Sequence, residues 1–457
     1  MTPFPRIMVA AAHKSSGKTV ISTGLTAALR RTGDRVSTFK KGPDYIDPMW
    51  LAAASGRACY NLDFNAMERG EISTLFATRA GELSLVEANK GLFDGVAVDG
   101  SDSNAELAKL LGLPVILVID TVGMTRGIAP LLQGYQGFDQ DVTIAGVILN
   151  KVGGARHEGK LRRAVETYCD LAVVGSVWRD ERLEIGERHL GLTTPGELAG
   201  RDAMIKTFAE VVGGSVDLGA LRAIAATAAP MEMPETQTAR DQTGQGLRIG
   251  VIRDAAFGFY YPDDLEAFQA AGAELVFIDA SHDAHLPDLD GLFIGGGFPE
   301  MRMNELAANT NLRGEIKQRL AGGLPCYAEC GGLMYLCESL RWNGQTAAMV
   351  GLIPGDAVMH ARPQGRGYAR FTTGRNHPWG GEGQEVQAHE FHYASIDNLP
   401  GGVEFARDMM RGHGVDGTRD GLVMFNTLAG FCHLRNSDCT PWVDRFLGFV
   451  ASIKRTA

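Results

Sequence analysis

The chain has 457 residues and a formal net charge of -10 at pH 7, and 45% of its residues are hydrophobic against 21% charged. This length is typical of two or three domains, and the composition is that of a soluble globular protein. No apolar run reaches the roughly 20 residues that a membrane-spanning helix needs. The chain also lacks a basic tail or stripe, so we expect neither a membrane nor a nucleic acid as partner.

The N-terminus lacks the charged start and apolar core of a secretion signal, so we expect a cytoplasmic protein. No Cys-x-x-Cys pair occurs in the chain. An odd number of cysteines without secretion indicates free thiols with one candidate nucleophile among them, and a structural zinc site is not expected. The seven cysteines are Cys59, Cys169, Cys326, Cys330, Cys337, Cys432 and Cys439.

Apolar runs alternate with helical patterns through the first half of the chain. Continuous Val, Ile and Leu strands between helices predict a parallel sheet covered on both faces, with ligands at the carboxyl ends of the strands. The predicted strands are Ile7–Ala12, Val36–Phe39, Leu83–Glu87, Pro114–Ile119, Val142–Leu149 and Leu171–Val177. The predicted helices lie near residues 17–31, 68–80, 104–112, 126–136, 157–168 and 197–211.

The first strand leads into a loop that ends Gly17-Lys18-Thr19, and a helical pattern follows. This order is typical of a P-loop, in which backbone N–H groups and a helix N-terminus surround phosphate oxygens. Lys18 would reach the β- and γ-phosphates of ATP, and the Thr19 hydroxyl would bind Mg²⁺. Ala12 replaces the first glycine of the pattern, and Lys14 resembles the additional lysine of the subclass that contains dethiobiotin synthetase and the partition ATPases. The predicted nucleotide-binding residues of the loop are Lys14, Ser16, Gly17, Lys18 and Thr19.

Polar residues follow other predicted strands at the same edge of the sheet. The segment Lys40–Pro48 carries two lysines and two aspartates, which could hold Mg²⁺, phosphate or a carboxylate substrate, or could be a solvated loop. Glu87 ends the third strand, where a further Mg²⁺ ligand is expected because this cation takes one or two protein oxygens beside phosphates and water. Asn150 follows the fifth strand and would read a purine edge through its amide, or would form a simple turn.

Five short motifs stand out in this half: Gly42–Pro48 (Gly-Pro-Asp-Tyr-Ile-Asp-Pro), Asn61–Asp63, Gly91–Gly95, Asn150–Gly153 and Glu187–Leu192. Together they resemble the motifs of the cobyrinic acid a,c-diamide synthase family. The resemblance implies a two-domain α/β fold: a P-loop, parallel-sheet ATPase domain similar to dethiobiotin synthetase, then a flavodoxin-like class I glutamine amidotransferase domain. It also implies that ATP and Mg²⁺ activate two acetate side chains of a tetrapyrrole polycarboxylate, which ammonia from glutamine converts to amides.

The resemblance assigns roles to residues of the first half. Cationic partners for the carboxylates of the macrocycle would be Arg179, Arg182, Arg188 and His189, or some of these residues would only cap helices or face water. The implied metal ligands are Thr19, Asp44 and Glu87. The implied substrate-binding residues are Lys41, Tyr45, Asp94, Arg188 and His189.

Residues 226–246 lack periodicity and are poor in large apolar side chains, which is typical of a linker. We therefore predict an ATP-, Mg²⁺- and tetrapyrrole-binding amidoligase domain over residues 1–225 and a glutaminase domain over residues 247–457. The second half begins with a strand, a helical stretch to about Ala271 and three more strands. These strands are Leu247–Ile252, Glu274–Ile278, Leu289–Ile294 and Leu324–Ala328.

Cys330 lies between the last of these strands and a helical pattern. Ala328 and Gly332 flank it at two residues on either side, as in a strand-to-helix nucleophile elbow, and a helix N-terminus favours a thiolate. The run Gly295–Gly297 could bring backbone N–H groups to a reacting oxygen, or could be a tight turn. The predicted oxyanion- and glutamine-binding residues are Gly296, Gly297 and Gly331.

A thiolate mechanism needs a base, and His433 is the candidate. It follows a predicted strand, Gly421–Phe425, and a turn, Asn426–Cys432, before a terminal helix. Its position resembles that of the histidine in triad-type glutamine amidotransferases. We therefore predict Cys330 as the nucleophile and His433 as its base.

Four nearby cysteines and histidines have structural alternatives. Cys326 and Cys337 are expected to be core residues, the first in the strand and the second in the helix interior. His389 and His392 match another pattern of the family, and they either shape the site or are satisfied core histidines.

Two positions depart from the family pattern. The chain has Glu87-Ala88-Asn89-Lys90 where the family usually has Glu-Gly-Val-Met, and Arg435 where a second histidine commonly follows the catalytic one. The acceptor therefore stays open between cobyrinate, hydrogenobyrinate, and sirohaem or another modified tetrapyrrole. Cobyric acid synthase and a partition-type regulatory ATPase are further alternatives, and the sequence is compatible with a homodimer.

Overall fold

The computed structural model describes residues 4–188, 191–198, 200–231 and 242–456. The chain divides into two compact units, Met1–Gln237 and Thr238–Ala457. The predicted linker over residues 226–246 lies only partly within the described ranges, because residues 232–241 fall outside them. No helix in these ranges is long and apolar enough to cross a membrane.

The first unit is built around a parallel sheet. Its strands are β1 (Arg6–Ala11), β2 (Val36–Lys41), β3 (Cys59–Leu62), β4 (Leu83–Glu87), β5 (Val115–Asp120), β6 (Ile144–Val152), β7 (Ala172–Trp178), β8 (Glu187–Arg188) and β9 (Gly191–Leu192). Its helices are α1 (Lys18–Arg31), α2 (Ile46–Ser55), α3 (Arg69–Arg79), α4 (Asn104–Leu111), α5 (Ile128–Phe138), α6 (Ala155–Tyr168), α7 (Arg201–Ser215) and α8 (Leu218–Ala226). Seven strands pair in the order β3-β2-β4-β1-β5-β6-β7, and β8 and β9 form a separate pair.

Side chains of β1 alternate between two hydrophobic cores. Ile7, Val9 and Ala11 pack with apolar residues of α1, whereas Met8 and Ala10 belong to the other core. Successive strand residues point to opposite faces, so the sheet is covered on both sides, as continuous apolar strands predict. All seven strands are parallel, and their carboxyl ends therefore form one edge that carries the P-loop.

The segment Lys40–Pro48 differs from the predicted loop. Lys40 and Lys41 complete β2, and α2 begins at Ile46. The Asp44 carboxylate caps this helix by accepting from the backbone N–H of Ile46 at 2.9 Å and of Asp47 at 3.2 Å. The sequence pattern does not indicate α2, β3 or α8, because α2 is apolar nearly all round and β3 has only four residues.

The second unit contains a larger mixed sheet. The strands of the whole unit are β10 (Arg248–Ile252), β11 (Phe257–Phe259), β12 (Glu274–Ile278), β13 (Gly291–Ile294), β14 (Gly296–Gly297), β15 (Cys326–Glu329), β16 (Cys337–Trp342), β17 (Gln345–Ala348), β18 (Ile353–Met359), β19 (Gly365–Thr373), β20 (Glu385–His392), β21 (Ala394–Asp397), β22 (Glu404–Arg411), β23 (Arg419–Met424) and β24 (Thr427–Gly430). Its helices are α9 (Pro262–Ala270), α10 (Met303–Ala308), α11 (Thr310–Ala321), α12 (Gly331–Leu336) and α13 (Trp442–Thr456).

Nine strands of this unit pair in the order β12-β10-β13-β15-β24-β23-β22-β19-β20. The first five are parallel, and the last four continue the sheet as antiparallel strands. Two α/β units with these sheets confirm the predicted fold class.

Two details of the second unit correct the predictions. Cys337 begins β16 and does not lie in the helix interior, because α12 ends at Leu336 after six residues. The predicted turn Asn426–Cys432 contains β24, which pairs in parallel with β15. This pairing brings the end of β24 to the thiol, since the Cys330 backbone N–H donates to the Gly430 carbonyl at 2.7 Å.

Candidate active sites

Cys330 occupies a tight elbow between β15 and α12. Its φ is 49° and its ψ is -102°, a conformation that residues with a side chain rarely adopt. Such a residue costs on the order of 1–3 kcal/mol and needs support from its surroundings. A Cβ at Gly331 would lie 3.0 Å from the Gly297 nitrogen, and one at Gly332 would overlap the Ile294 carbonyl oxygen. Both residues after the thiol must therefore be small, as in a nucleophile elbow.

His433 is the partner of this thiol. Its ring is buried and forms side-chain hydrogen bonds with Cys330 and Glu329, and Nδ1 lies 3.3 Å from Glu329 Oε2. Burial by itself lowers the pKa of His433, but the bonds to Cys330 and Glu329 outweigh it and raise the pKa to about 10. The imidazolium is therefore strongly favoured beside the thiol, which is the arrangement that stabilises a thiolate.

The three predicted glycines lie around the same thiol and imidazole. A Cβ at Gly296 would lie 2.6 Å from Cε1 of His433, and one at Gly297 would overlap the Ala256 carbonyl oxygen. The short strand β14 pairs with β11, which holds this run against the site. These close approaches leave no room for a side chain at Gly296 or Gly297, which explains why glycine is required at both positions. The predicted role of the three glycines in binding an oxyanion stays a prediction.

The two family-pattern histidines differ in their surroundings. His389 exchanges backbone hydrogen bonds with His433, and the two rings stack with centroids 4.8 Å apart. Burial, with His433 and Arg435 nearby, lowers the pKa of His389 well below its usual value, so this ring is neutral. His392 stacks on Phe431 at 3.8 Å and lies 2.8 Å from the Ala394 carbonyl through Nδ1. His389 therefore shapes the site, and His392 is a core histidine.

The P-loop connects β1 to α1 through Gly17, whose φ is 84°. Lys18 is largely buried, and its ammonium donates to the Lys90 carbonyl at 2.6 Å. Burial, followed by repulsion from Lys40, lowers the pKa of Lys18 to about 8. The Ser16 hydroxyl donates to the His13 carbonyl at 2.8 Å within the loop. An incoming phosphate would offer Lys18 a stronger partner than its present carbonyl.

Asn150 and Lys14 take different positions around this loop. The Asn150 amide donates to the Ser16 carbonyl at 2.8 Å, so its nitrogen supports the loop. The predicted contact of Asn150 with a purine edge stays a prediction. Lys14 is exposed at the start of the loop.

A partly buried cluster of charges lies beside the loop at the ends of β2 and β4, with Lys40 and Glu87 as its buried members. The Lys40 ammonium is 2.8 Å from Glu87 Oε1, 2.5 Å from Asp47 Oδ2 and 3.8 Å from Asp44 Oδ2. Burial and the neighbouring Asp47 raise the pKa of Asp44 to about 7. For Asp47, burial opposes ionisation but the contact with Lys40 prevails and lowers the pKa. Burial raises the pKa of Glu87 despite the same lysine.

These carboxylates fit a hard divalent cation. The Thr19 hydroxyl donates to Glu87 Oε1 at 3.1 Å, while the buried Glu87 Oε2 has no hydrogen-bond partner among the described residues. The same residues do not include a complete set of three His, Cys, Asp or Glu metal ligands. Mg²⁺ takes most of its oxygens from phosphates and water, so a partial protein set is what it needs. Asp47 belongs with Asp44 and Glu87 here, and its spacing of three residues from Asp44 was the signal in the sequence.

The predicted substrate-binding residues are only partly described. Lys41 is buried, which lowers its pKa, and it donates to the Asp102 carbonyl at 2.6 Å. Tyr45 immediately precedes α2 and is largely buried, and the exposed Asp94 accepts from the Gly91 N–H at 2.9 Å. The Arg188 side chain and His189 lie outside the described residues.

Comparisons with known proteins identify a family for each half of the chain. Residues 7–192 match the family model of the CobQ/CobB/MinD/ParA nucleotide binding domain. Residues 248–438 match that of the CobB/CobQ-like glutamine amidotransferase domain. A solved glutamine amidotransferase covers 44% of this chain, and 98% of its own, at 16% identity and a TM-score of 0.32. A nucleotide-binding unit joined to a glutamine amidotransferase unit defines a glutamine-dependent, ATP-using ligase.

Full-length relatives specify the family. The chain is 43% identical to the cobyrinate a,c-diamide synthase of Magnetococcus marinus over 446 residues, which cover 96% of both proteins. It is 40% identical to the enzyme of the same name from Archaeoglobus fulgidus, with 94% of both covered. For the one from Methanosarcina acetivorans the identity is 39%, with 94% of this chain and 92% of the relative covered. The chain belongs to the cobyrinate a,c-diamide synthase family, which confirms the predicted family and enzyme class.

Proposed function

We propose that this chain amidates the a- and c-acetate carboxylates of cobyrinate or hydrogenobyrinate in cobalamin biosynthesis, with glutamine as the nitrogen donor. The observation that carries the proposal is the hydrogen bond between Cys330 and His433 at a strained elbow. The elbow lies in the part of the chain that matches glutamine amidotransferases. The named relatives supply the acceptor.

Glutamine hydrolysis begins when the Cys330 thiolate attacks the side-chain amide carbon. His433, which took the thiol proton before the attack, gives it to the nitrogen as the C–N bond breaks, so that ammonia leaves. Water then attacks the thioester, loses a proton to His433, and the C–S bond breaks to release glutamate and restore the thiol. Backbone N–H groups of Gly296, Gly297 and Gly331 would stabilise the oxyanion, at about 3 to 4 kcal/mol per donor.

The first unit activates the acceptor. An oxygen of the substrate carboxylate attacks the γ-phosphorus of ATP, the bond to the bridging oxygen breaks, and ADP leaves. Ammonia then attacks the acyl carbon, phosphate departs with the C–O bond, and the surplus proton of ammonia is lost. Lys18 balances the charge of the phosphates, and the P-loop aligns them with the carboxylate. The acceptor would be held by Lys41, Tyr45, Asp94, Arg188 and His189.

The oxygen donors of the first unit support Mg²⁺ as the metal of this reaction. Thr19, Asp44, Asp47 and Glu87 would hold it together with phosphate oxygens. When bound, Mg²⁺ supplies charge neutralisation at the transferring phosphoryl group.

The sequence further supports a cytoplasmic enzyme that acts on small molecules, without a nucleic acid or a membrane as partner. We include a homodimer in the proposal, and light scattering on the purified protein tests it.

The direct test uses Cys330→Ala with cobyrinic acid, hydrogenobyrinic acid and sirohaem as acceptors. Products are counted by mass spectrometry with ATP and either glutamine or ammonium chloride. The variant is expected to lose glutamine-driven amidation and to keep ammonia-driven amidation of a corrinoid. Cys439→Ala is the matched control, because this thiol is exposed and lies outside the elbow. Loss of both activities in a folded variant would contradict the division of labour, and amidation of sirohaem alone would contradict the acceptor.

A further inference from the structure

Glu329, the residue immediately before Cys330, is buried and contacts His433. Its Oε2 lies 3.3 Å from Nδ1 of His433, and both side chains are buried. Its Oε1 accepts from the Leu434 backbone N–H at 2.8 Å. A single carboxylate therefore holds both the ring of His433 and the backbone that follows it.

The position two residues after His433 holds a cation and therefore supplies no acid to the imidazole. Arg435 lies 2.5 Å from Asp263 Oδ2 and extends over the Tyr261 ring, with 4.4 Å between Cζ and the ring centroid. Asp263 is thus engaged by a guanidinium. Glu329 is the acidic side chain that the structure records within ion-pair distance of the imidazole.

Further buried bonds fix Glu329 and the segment that carries His433. The Tyr327 hydroxyl donates to Glu329 Oε1 at 2.7 Å and accepts from Arg407 Nη2 at 3.3 Å. Arg407 is paired at 3.0 Å with Asp420, whose carboxylate accepts from the backbone N–H groups of residues 431 and 432. Two carboxylates therefore anchor the chain on either side of His433. A catalytic side chain needs such anchoring in order to keep one orientation.

We propose that Glu329 is the positioning carboxylate of the glutaminase site, which orients His433 and stabilises its protonated form while Cys330 reacts. The inference rests on the roles proposed above for Cys330 and His433. With Nδ1–H donated to Glu329, Nε2 can take the thiol proton and pass it to the departing ammonia. Glu329 keeps its charge throughout and exchanges no proton.

Among the groups around the imidazole, Glu329 is the residue whose substitution tests the proposal. His389 stacks on the ring and is neutral, since burial lowers its pKa. Cys330 is the proton donor, and the charge of Arg435 is balanced by Asp263. Replacement of Glu329 by Gln removes one charge at nearly constant volume and retains an oxygen that can accept.

The experiment compares Glu329→Gln with wild type and with Glu390→Gln. Glu390 is a matched control, because it is equally buried, accepts two backbone N–H groups and lies 3.6 Å from a different histidine, His392. Three quantities are measured on the full-length proteins: glutaminase kcat and KM, ammonia-driven amidation, and the pH profile of Cys330 alkylation by iodoacetamide, followed by peptide mass spectrometry. Thermal unfolding of each variant reports any loss of fold.

Glu329→Gln is expected to lower glutaminase kcat by about 10- to 100-fold with little change in KM, as for other residues that orient a catalytic group. The alkylation profile should move to higher pH by about 1, so that alkylation at neutral pH slows about tenfold. Ammonia-driven amidation should persist. Glu390→Gln should keep the wild-type profile, whatever stability it loses.

A folded Glu329→Gln protein with wild-type kcat and a wild-type alkylation profile would overturn the inference. An equal change in Glu390→Gln would also overturn it, because the effect would then be structural. The proposed function fails separately, if Cys330→Ala retains glutaminase activity. If Cys330→Ala is inactive and Glu329→Gln is normal, only the role of Glu329 is lost.

Discussion

Asn150 closely approaches Gly17, although 132 residues of chain lie between them. A Cβ at Gly17 would overlap the Asn150 amide nitrogen, and that same nitrogen donates to the neighbouring Ser16 carbonyl at 2.8 Å. The end of β6 therefore supports the P-loop at the point where α1 begins.

Gly17→Ala is expected to weaken ATP binding by about tenfold or more. The new methyl group would displace Asn150, and the φ of 84° adds strain of about 1–3 kcal/mol for a residue with a side chain. Isothermal titration with a non-hydrolysable ATP analogue measures the change. Gly134→Ala is the control, because its Cβ would meet nothing within 4 Å on α5, and its affinity should equal that of wild type. Unchanged affinity in Gly17→Ala would mean that the loop adapts.

Glu87→Gln is expected to abolish the enhancement of nucleotide binding by Mg²⁺. Glu87 is fully buried, and its orphaned Oε2 is available for a cation together with Thr19. An amide is a weaker ligand and carries no charge. Titration of the ATP analogue with Mg²⁺ and with EDTA measures the difference between the two conditions. Glutaminase activity serves as the control and should persist, since Cys330 lies in the other unit. Equal Mg²⁺ dependence in variant and wild type would exclude Glu87 as a ligand.

Arg407→Met is expected to destabilise the second unit by about 3–5 kcal/mol. The substitution leaves the charge of Asp420 buried without its partner, and both side chains are fully inaccessible. Arg341→Met removes a half-exposed guanidinium from Asp356, which still accepts from Asn398, and should cost less than about 1 kcal/mol. Urea unfolding of both variants gives the comparison. Equal losses in the two proteins would show that burial of the Arg407 pair contributes nothing.

The stabilising contribution of protonated His433 is expected to fall with rising pH. Its folded-state pKa is raised to about 10, against roughly 6.5 in an unfolded chain. This contribution is therefore complete below about pH 6.5 and is lost as the pH rises through about 10. The measurement is the difference in unfolding midpoint between wild type and His433→Gln from pH 6 to pH 10. The advantage of wild type should shrink across that range, and a growing advantage would contradict the raised pKa.

Local sequence patterns were sufficient to predict two motifs and most strands of the first unit. The P-loop with Lys18 and the elbow at Cys330 depend on residues a few positions apart, and most predicted strands of the first unit lie within two residues of the observed ones. Hydrophobic periodicity reports such elements because each strand or helix is a local structure. The same patterns missed α2 and β24, whose burial and pairing are decided by contacts with distant segments.

Only the tertiary structure decided the partners of the buried charges. Lys40 and Glu87 are 47 residues apart, and Glu329 and His433 are 104 residues apart, yet each pair is in contact. No periodicity encodes such pairs, because neighbouring strands of a sheet bring together residues from any distance along the chain. The sequence by itself thus identified the family and predicted the nucleophile and the phosphate-binding loop. The fold decided which carboxylate faces which cation, because a buried charge is stable only beside a partner that the packing supplies.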